Sequence, residues 1–425
     1  MKSSGIYPLI VIGGGAAGMI AAWRAASRGI KVLLLEKNAR IGIKLLISGG
    51  GKCNITHAGE MEDLRSAFKT NESRFLKHSF FQFTNAHLLG HLNALGVETY
   101  ARDNGRVFPT SGKAGDVVHA LRVMVERAGA EILLSTPVDE ILVDSEGISG
   151  VRTASGVLES RNVIVATGGS SYPKTGTTGD GFRWLMELGH TIIPPRPALA
   201  PIYLNPKPPP EWQGVSIRDC VVKGEVTGIT GASARGDLLF TNRGISGPAA
   251  LEISREAFLA WEKHDLLDIV VDLLPDRVDS DLARELQAEI TSNGARKLET
   301  LIELFVPHRL VPYMVGTVGL DGSKKCHQLT KEERRIVAHV LKRWYVGRVS
   351  EIPLEGGEVT AGGVDLKEVD PKTMMSRLIN GLYLCGEVLD IAGPIGGYNL
   401  QAAFSTGYVA GESSARDGES GLPLK

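Results

Sequence analysis

The stretch Pro8-Leu-Ile-Val-Ile-Gly-Gly-Gly-Ala-Ala-Gly18 decides the fold, because an apolar run ends directly in closely spaced glycines. An alanine-rich segment follows as far as Arg28, before Gly29. The pattern predicts a strand, a tight turn and a helix. Gly13, Gly15 and Gly18 have GxGxxG spacing, in which the first glycine permits the turn, the second admits a pyrophosphate, and the third allows close packing of helix on strand.

The next segment completes a dinucleotide-binding fingerprint. The apolar run from Ile30 to Leu35 predicts a buried parallel strand, and it ends in Glu36, roughly 20 residues beyond Gly15. A carboxylate there accepts hydrogen bonds from ribose hydroxyls, and the pyrophosphate is expected on the helix N-terminus beside Ala16 and Ala17. The alternative is a glycine turn with a purely structural purpose.

A second glycine run favours FAD over NAD. It consists of Ser48, Gly49, Gly50, Gly51, Lys52, Cys53 and Asn54, and it follows Glu36 too soon for a full crossover helix. Its bare N–H groups are suited to the second half of an extended ligand, although a flexible loop with a solvated Lys52 is the simpler alternative. Lys37 and Lys44, between the two runs, are also expected cofactor contacts.

The middle of the N-terminal unit predicts a helix from Lys113 to Arg127 and then short β-rich runs. These runs are 131–134, 138–143, 148–153 and 162–166, and they are interpreted as a β-meander inserted in a doubly wound sheet. The last run ends in Ala166, Thr167, Gly168 and Gly169, whose small side chains are expected against the dinucleotide.

The end of the chain repeats the strand, glycine and helix pattern. The segment 381–386 predicts a strand ending in Gly386 and Glu387, and Gly397, Tyr398, Asn399 and Leu400 lead into a helix expected over 401–411. The N-terminus of that helix could stabilise negative charge on a reduced flavin, whereas an ordinary loop with a capping asparagine is the alternative. Tyr398 is expected either to stack on the flavin or to pack the loop.

These two ends predict one discontinuous FAD-binding domain, 1–190 and 356–425. The proline-crowded stretch after His190 marks the exit into an inserted cap domain over 191–355, β-rich to about 260 and helical over about 280–345. The expected fold class is α/β, with a doubly wound Rossmann-like domain interrupted by a mixed β/α insertion.

Composition limits the function classes. The chain has 47 Lys and Arg against 48 Asp and Glu, so its overall charge does not favour a nucleic-acid partner. No signal peptide and no apolar stretch long enough to span a bilayer are apparent, which predicts a cytoplasmic protein that begins near Met1 and has no membrane partner. The four cysteines form no CxxC pair and the histidines have no ligand spacing, so no metal is expected.

Six segments together are more specific than the glycine turn. They are VIGGGAAG (11–18), SGGGKCN (48–54), DNGRVFP (103–109), ATGGSSYPKTGTTGDG (166–181), GDLLFTNRGISGP (236–248) and CGEVLDIAGPIGGYNLQAA (385–403). In this order the chain resembles a bacterial flavoprotein family with aminoacetone-oxidase-like and bile-acid-inducible, BaiN-like members.

The resemblance implies non-covalent FAD in an extended pose, contacted near Gly13–Gly18, Glu36, Ser48–Asn54 and Gly386–Glu387, with the flavin ring near Gly397–Leu400. It further implies an adenine contact, which falls at Val138. Lys52 stands where many relatives carry arginine, so the charge is kept but the planar fork is lost.

The expected function is a two-electron oxidoreductase acting on a small-molecule substrate, with NAD(P)H visiting the flavin as reductant. An amine oxidase using dioxygen, a nucleic-acid-modifying flavoprotein and a non-enzymatic flavin-binding partner are the alternatives. The sequence names no catalytic acid or base, and Cys53 is interpreted as a packing residue rather than a nucleophile. Arg235 and Arg243 are either substrate-anion ligands or solvated surface residues.

Overall fold

The computed structural model describes the backbone of residues 6–420 and the side chains of residues 6–278 and 281–417. The expected chain start and the domain ends at 1–5 and 421–425 lie outside these residues.

The helices and strands alternate along most of the chain. In chain order they are β1 (Leu9–Ile12), α1 (Ala16–Ala26), β2 (Val32–Leu35), α2 (Ile43–Gly51), β3 (Thr56–His57), α3 (Met61–Ser66), α4 (Thr70–Gln82), α5 (Asn85–Ala94), β4 (Thr99–Ala101), β5 (Arg106–Pro109), α6 (Ala114–Arg127), β6 (Glu131–Leu133), β7 (Val138–Asp144), β8 (Gly147–Thr153), β9 (Gly156–Glu159), β10 (Val163–Val165), α7 (Asp180–Glu187), β11 (Ile192–Ala198), β12 (Ile202–Asn205), β13 (Ser216–Val226), β14 (Ile229–Phe240), β15 (Gly244–Ser246), α8 (Pro248–His264), β16 (Asp268–Asp272), α9 (Asp279–Ser292), α10 (Leu298–Ile302), α11 (Val311–Val318), α12 (Lys331–Lys342), β17 (Trp344–Glu351), β18 (Val359–Val364), β19 (Leu382–Leu384) and α13 (Tyr398–Ser420).

The chain divides into two compact units. Unit 1 combines Met1–Arg196 with Glu358–Lys425, and unit 2 is Pro197–Gly357. Each unit has a hydrophobic core of its own.

A five-stranded parallel sheet forms the centre of unit 1, in the order β19-β10-β1-β2-β6. All four residues of β1 and all four of β2 are buried, as expected for strands covered by helices on both faces. The doubly wound α/β fold class is thereby confirmed.

The expected meander needs correction at its start. Glu131–Leu133 pairs in parallel with β2 and belongs to the central sheet, whereas the meander consists of β7, β8 and β9. Strand β9 was not expected. A single strand looks the same in sequence whether its partner is local or distant, so its sheet could not be assigned from pattern alone.

Helices α1 and α13 pack at very short range through small residues. A Cβ atom on Gly407 would overlap the Ala17 carbonyl, and one on Gly411 would overlap the Ala21 carbonyl. Helix α13 extends from Tyr398 to Ser420 and is longer than the expected 401–411. This contact joins the first and last helices of the unit.

Three smaller sheets complete the strands outside unit 2's barrel: β3-β5-β4, β7-β8-β9 and the pair β11-β18. The second glycine run forms a tight turn at the end of α2, because helical backbone stops at Ser48. Helix α2 breaks at Ser48, whose ψ is 146°, and Gly49 and Gly50 then adopt left-handed backbone.

Unit 2 contains a closed barrel in the order β12-β15-β14-β13-β16-β17. Trp212, Phe240 and Trp344 meet in its core, with ring centroids 4.9–5.8 Å apart. Helix α8 and strands β16 and β17 were not among the expected elements. Closure depends on pairs such as β12 with β17, which are distant in sequence and leave no local signal.

Candidate cofactor-binding site

The glycine turn of β1 and α1 combines close packing with one open position. A Cβ atom on Gly13 would lie 2.5 Å from the Ala166 carbonyl oxygen, and one on Gly18 would overlap the Gly13 carbonyl. By contrast, a Cβ atom on Gly15 would meet nothing within 4 Å. The first and third glycines are therefore required by packing, and the middle one faces open space.

That open space lies at the N-terminus of α1. Gly15 is the N-cap residue, no side chain caps the helix, and the first intrahelical bond runs from Met19 N–H to the Gly15 carbonyl. The N–H groups of Ala16, Ala17 and Gly18 precede this bond and have no partner within the helix. They form a positive end suited to a pyrophosphate.

Glu36 is fixed beside this turn at the end of β2. Its Oε2 accepts the Gly14 N–H at 2.8 Å, and its Oε1 accepts both the backbone and side-chain N–H groups of Asn38 at 2.8 Å. The Thr136 N–H donates to the Glu36 carbonyl, which brings the segment before Val138 to the same place. Val138 itself is buried at the start of β7.

Lys37 and Lys44 are both engaged by acidic groups of unit 1. Lys37 Nζ lies 2.6 Å from Asp180 Oδ2. Lys44 Nζ lies 2.7 Å from Glu387 Oε2 and donates to Ser171 Oγ at 2.8 Å. The second pair links α2 to the turn after β19.

The turn from Ser48 to Asn54 is held by backbone geometry. The Cys53 N–H donates to the Ser48 carbonyl, and Gly49, Gly50, Gly51 and Cys53 all have positive φ. Lys52 is exposed. The Asn54 amide, with its oxygen towards Gly397, accepts the Gly397 N–H at 3.0 Å. This bond ties the turn to the start of α13.

Cys53 lacks the character of a nucleophile. The side chain is fully buried, and burial raises the pKa of its thiol to about 12. The thiol therefore stays protonated near neutral pH, which agrees with the packing interpretation.

The turn after β10 brings together Ala166, Thr167, Gly168 and Gly169. The Ala166 N–H donates to the Ile12 carbonyl, and a Cβ atom on Gly169 would overlap Thr360 Oγ1. Thr167 Oγ1 is buried without a hydrogen-bond partner among the described residues. Ala166 and Gly169 are thus held by close packing against the glycine turn and against Thr360.

The closing segment is pinned at both ends. The Gly386 N–H donates to Thr406 Oγ1 at 3.0 Å, and Glu387 Oε1 accepts the Thr360 N–H at 2.7 Å. Asn399 does not cap α13, because its Oδ1 accepts the Gly393 N–H and its Nδ2 donates to the Gly393 carbonyl. It holds the preceding loop instead.

Tyr398 stacks within the protein. Its ring centroid lies 4.8 Å from that of His57, and the Phe68 ring meets it edge-on. Gly397 is pressed against Thr56, where a Cβ atom would overlap the Thr56 carbonyl, and Leu400 packs on the core. These contacts agree with packing of the loop by Tyr398.

Sequence reasoning missed several residues of this region. Thr360 Oγ1 accepts the N–H groups of Ser170 and Ser171, and buried Thr56 donates to Gln401 at 2.6 Å. No strand was predicted at Val359–Val364. The local sequence gives no sign that Thr360 binds a turn nearly 190 residues earlier in the chain.

The side chains of Glu358 and Tyr172 both have raised pKa values. Glu358 is in contact with solvent, yet the surrounding protein raises the pKa of its carboxyl, a shift that Arg106 and Lys44 oppose. Burial, and then the charge of Glu358, raise the pKa of the Tyr172 phenol. Both groups hold their protons more strongly than usual.

Arg235 and Arg243 are occupied within unit 2. Arg235 forms bidentate pairs with Asp219 and Asp276 at 2.6–2.7 Å. Arg243 lies 2.9 Å from Glu351 and stands over the Tyr203 ring. These contacts favour the surface interpretation of both.

Within the part of the chain that the structure describes, no group of three or more His, Cys, Asp or Glu side chains could hold a metal ion. No helix in residues 6–420 is long and apolar enough to cross a membrane.

The residues fit an extended dinucleotide. The open space beside Gly15 lies at a helix N-terminus, where a pyrophosphate would fit, and Glu36 lies beside the same turn, where the fingerprint expects a contact to the ribose.

Comparison with known proteins extends over nearly the whole chain. Residues 7–413 match the family described as HI0933-like protein Rossmann domain. Ribosomal RNA dihydrouridine synthase of Haemophilus influenzae is 31% identical over 412 residues, which cover 96% of this chain and 98% of that protein. The Escherichia coli protein of the same name is 30% identical over 406 residues, 96% of this chain and 97% of that one.

A third full-length relative carries another name. The 3-dehydro-bile acid delta(4,6)-reductase of Clostridium scindens is 29% identical over 407 residues, 95% of this chain and 98% of that protein.

Solved structures share the fold at low identity. The 3-ketosteroid delta1-dehydrogenase of Sterolibacterium denitrificans superposes with a TM-score of 0.55 at 15% identity, covering 97% of this chain and 100% of that one. The E. coli quinol fumarate reductase subunit FrdA superposes with a TM-score of 0.54 at 16% identity. The match covers 99% of this chain and 72% of that one. The expectation of an FAD-dependent oxidoreductase is confirmed, and the chain belongs to the HI0933-like family of Rossmann-fold flavoproteins, as its motifs indicate.

Proposed function

We propose that the chain reduces a carbon–carbon double bond conjugated with a carbonyl group, and that its substrate is a uracil base of ribosomal RNA. The observation that carries the proposal is the alignment of two ribosomal RNA dihydrouridine synthases along 96% of the chain. Dihydrouridine differs from uridine by two hydrogen atoms across the C5=C6 bond. That bond is conjugated with the C4 carbonyl and is therefore open to hydride addition.

The bile acid reductase supports the type of bond that is reduced, but not ribosomal RNA as the substrate. Its name places double bonds at positions 4 and 6 of a ring system that carries a 3-oxo group. A steroid enone and a uracil share little shape, but both present an alkene activated by a carbonyl. Three relatives that align with almost the whole chain thus agree on the chemistry and differ in the substrate.

The reaction balances with NAD(P)H as reductant: uracil, NAD(P)H and one proton give dihydrouracil and NAD(P)⁺. Hydride adds to C6, the carbon β to the carbonyl, and a proton adds to C5. Bound FAD would carry the two electrons from NAD(P)H to the substrate, so the two molecules can bind one after the other. No second GxGxxG fingerprint occurs in the sequence, so we infer that NAD(P)H visits the flavin without a domain of its own.

The chain's own residues then hold the cofactor. In this proposal the first N–H groups of α1 bind the pyrophosphate and Glu36 binds the ribose. Val138 contacts the adenine, and the Ser48–Asn54 turn and the Gly386–Glu387 turn contact the ligand along its length. The N-terminus of α13, near Gly397–Leu400, favours negative charge on the adjacent ring because its dipole is positive there.

Glu358 and Tyr172 are the proposed proton donors. The reduced substrate must gain a proton at its α-carbon. The Tyr172 phenol, whose pKa is raised above its ordinary value, carries a proton at neutral pH, and the raised pKa of the Glu358 carboxyl favours its protonated form relative to an ordinary glutamate. They lie on adjoining segments, because Tyr172 follows Ser171, whose N–H donates to Thr360 Oγ1 at 3.0 Å, and Glu358 stands two residues before Thr360. Glu358→Gln and Tyr172→Phe test them: loss of turnover with unchanged flavin reduction by NAD(P)H is the expected result.

A small enone is the second candidate substrate, favoured by the bile acid reductase at 29% identity. Oxidation of an aminoketone by dioxygen, which the resemblance to aminoacetone oxidases suggests, is the third.

Anaerobic reoxidation of the reduced protein separates these candidates. The holoprotein is reduced with NADPH or NADH and mixed anaerobically with unmodified ribosomal RNA or with a 3-oxo-4-ene steroid. In a separate arm, the oxidised holoprotein is mixed anaerobically with aminoacetone in the absence of NAD(P)H. We expect RNA to reoxidise the flavin and nucleoside mass spectrometry to find dihydrouridine. Reoxidation by the steroid alone would replace RNA with a small enone, and reduction of the oxidised flavin by aminoacetone without NAD(P)H would replace the reductase with an oxidase.

A further inference from the structure

The segment 324–348 in unit 2 is strongly basic within a chain of nearly balanced charge. It contains eight Lys and Arg against two Glu, a surplus of six positive charges, whereas the whole chain has a net charge of −1. Two histidines and the half-exposed Tyr345 lie in the same segment. The overall composition therefore conceals a local concentration of positive charge.

Helix α12 presents part of this charge on one face. Lys331, Arg335 and His339 follow one another at intervals of four residues, and all three are exposed. Such positions lie above one another, about 6 Å apart along the helix axis. The opposite face packs into the core through Val337, Val340 and Leu341. Lys325 is exposed just before the helix.

The two acidic residues cancel little of this charge. Glu333 is turned to the helix start, where its carboxylate binds Lys324 Nζ at 2.6 Å and the Thr330 N–H at 2.8 Å. Glu332 lies 3.6 Å from Arg335, but both side chains are at least 70% exposed, so solvent weakens that pair.

Four other cations of the segment bind partners within unit 2. Arg334 donates to the Leu329 carbonyl at 2.6 Å, and Arg348 lies 2.9 Å from Asp268. Lys342 lies 2.8 Å from Asp272, and Arg343 pairs with the buried Glu225. The outward charge therefore belongs to Lys325, Lys331 and Arg335, and exposed His339 continues the row along α12. We name these four residues the α12 basic stripe.

We infer that the α12 basic stripe docks the phosphate backbone of the RNA substrate. The inference rests on the proposed function and adds to it the surface that receives the polymer outside the reacting base. Charge complementarity carries it, because a row of exposed cations on a rigid helix can neutralise successive phosphates and release their counterions. Backbone contacts of this kind position an RNA without reading its sequence.

Salt-dependent binding of the intact holoprotein to protein-free bacterial ribosomal RNA tests the stripe. The stripe variant is Lys325→Ala/Lys331→Ala/Arg335→Ala. Its control is Lys207→Ala/Arg218→Ala/Lys263→Ala, which removes the same charges from other exposed positions of unit 2. Filter binding at about 50–200 mM KCl gives the slope of log K against log salt.

We expect the stripe variant to bind about tenfold or more weakly and its slope to flatten by about 2 to 3, since each lost phosphate contact removes about 0.7–0.9. The control should stay within about twofold of the wild type, and all three proteins should be reduced by NADPH at the same rate. Equal binding by the wild type and the stripe variant would overturn the inference and leave the proposed function standing.

No salt-sensitive RNA binding by the wild type would instead overturn both. Vesicles of phosphatidylglycerol and phosphatidylcholine serve as a second anionic probe. If the stripe variant lost vesicle binding but kept RNA binding, the surface would be a membrane contact and the inference would be wrong.

Discussion

Gly407 in the last helix lies against the Ala17 carbonyl in the first, so closely that a Cβ atom on Gly407 would overlap that oxygen. Ala17 belongs to the turn of α1 that is proposed to bind the pyrophosphate, and α13 begins at Tyr398, beside the proposed flavin position. This contact therefore sets the spacing between the two helix N-termini. The glycines of α13 matter for the site although none of them is proposed to touch the ligand.

Gly407→Ala should destabilise unit 1. The added methyl group has to displace backbone rather than a flexible side chain, and overpacking of this kind costs about 1–3 kcal/mol. Urea unfolding measures the loss. Gly90→Ala in α5 is the matched control, because Gly90 is helical with nothing within 4 Å of its Cβ position, and alanine there should stabilise by up to about 1 kcal/mol. Equal effects at the two positions would contradict the packing argument.

Gly15→Val should remove FAD without harming the fold. Its φ of −82° and ψ of −170° suit a β-branched residue, and the new side chain would point into the open space at the start of α1. The ratio of flavin to protein absorbance should fall close to zero while the thermal unfolding of the apoprotein stays unchanged. A variant purified with full flavin content would refute the pyrophosphate assignment. Gly18→Ala, which overlaps Gly13, should instead lower stability itself.

Lys44 and Glu387 should act as one unit. Each side chain is about one-fifth to one-quarter exposed and their ion pair is 2.7 Å long, so removing either partner leaves the other poorly compensated. Lys44→Met, Glu387→Gln and the double variant form a cycle, for which we expect a coupling energy of about 0.5–3 kcal/mol in the free energy of unfolding. Strictly additive losses would show that the pair contributes nothing jointly.

The Cys53 thiol should resist alkylation in the folded protein. Burial raises its pKa to about 12, above the ordinary value of 9.0, so the reactive thiolate is scarce at pH 7–8. Iodoacetamide labelling followed by mass spectrometry should modify Cys53 only after denaturation, and Cys53→Ala should keep the flavin. Rapid labelling of the native protein together with loss of activity would contradict the packing interpretation and indicate that Cys53 is a nucleophile.

Glu368 should give unit 1 an acid-sensitive contribution to stability. Burial acts to raise its pKa, but hydrogen bonds from Thr191 and His190 outweigh it and hold the pKa below the ordinary value of 4.5. A carboxyl with a lowered folded pKa stabilises above its unfolded pKa, and the contribution is lost as pH falls through the folded value.

Glu368→Gln should therefore cost about 1 kcal/mol in urea unfolding at pH 7 and progressively less below about pH 4.5. Exposed Glu146→Gln is the control and should change little at either pH. A cost for Glu368→Gln that did not depend on pH would contradict the ionised hydrogen-bonded carboxylate.

The sequence by itself determined the parts of this protein that depend on neighbours in the chain. The glycine spacing at 13–18 specified a strand, a turn and a helix, and Glu36 followed at the fingerprint distance. Helix α6 lies where it was predicted, and α12 lies within the part predicted to be helical. These features are local because turns and helix faces are set by residues a few positions apart.

Only the tertiary structure decided which distant segments meet. Glu131–Leu133 pairs in the central sheet, and β17 closes the barrel. Thr360 binds the turn at Ser170–Ser171, and the Asn399 side chain holds the loop at Gly393. These relationships depend on packing between residues far apart in sequence, and no local pattern encodes a partner that lies hundreds of residues away.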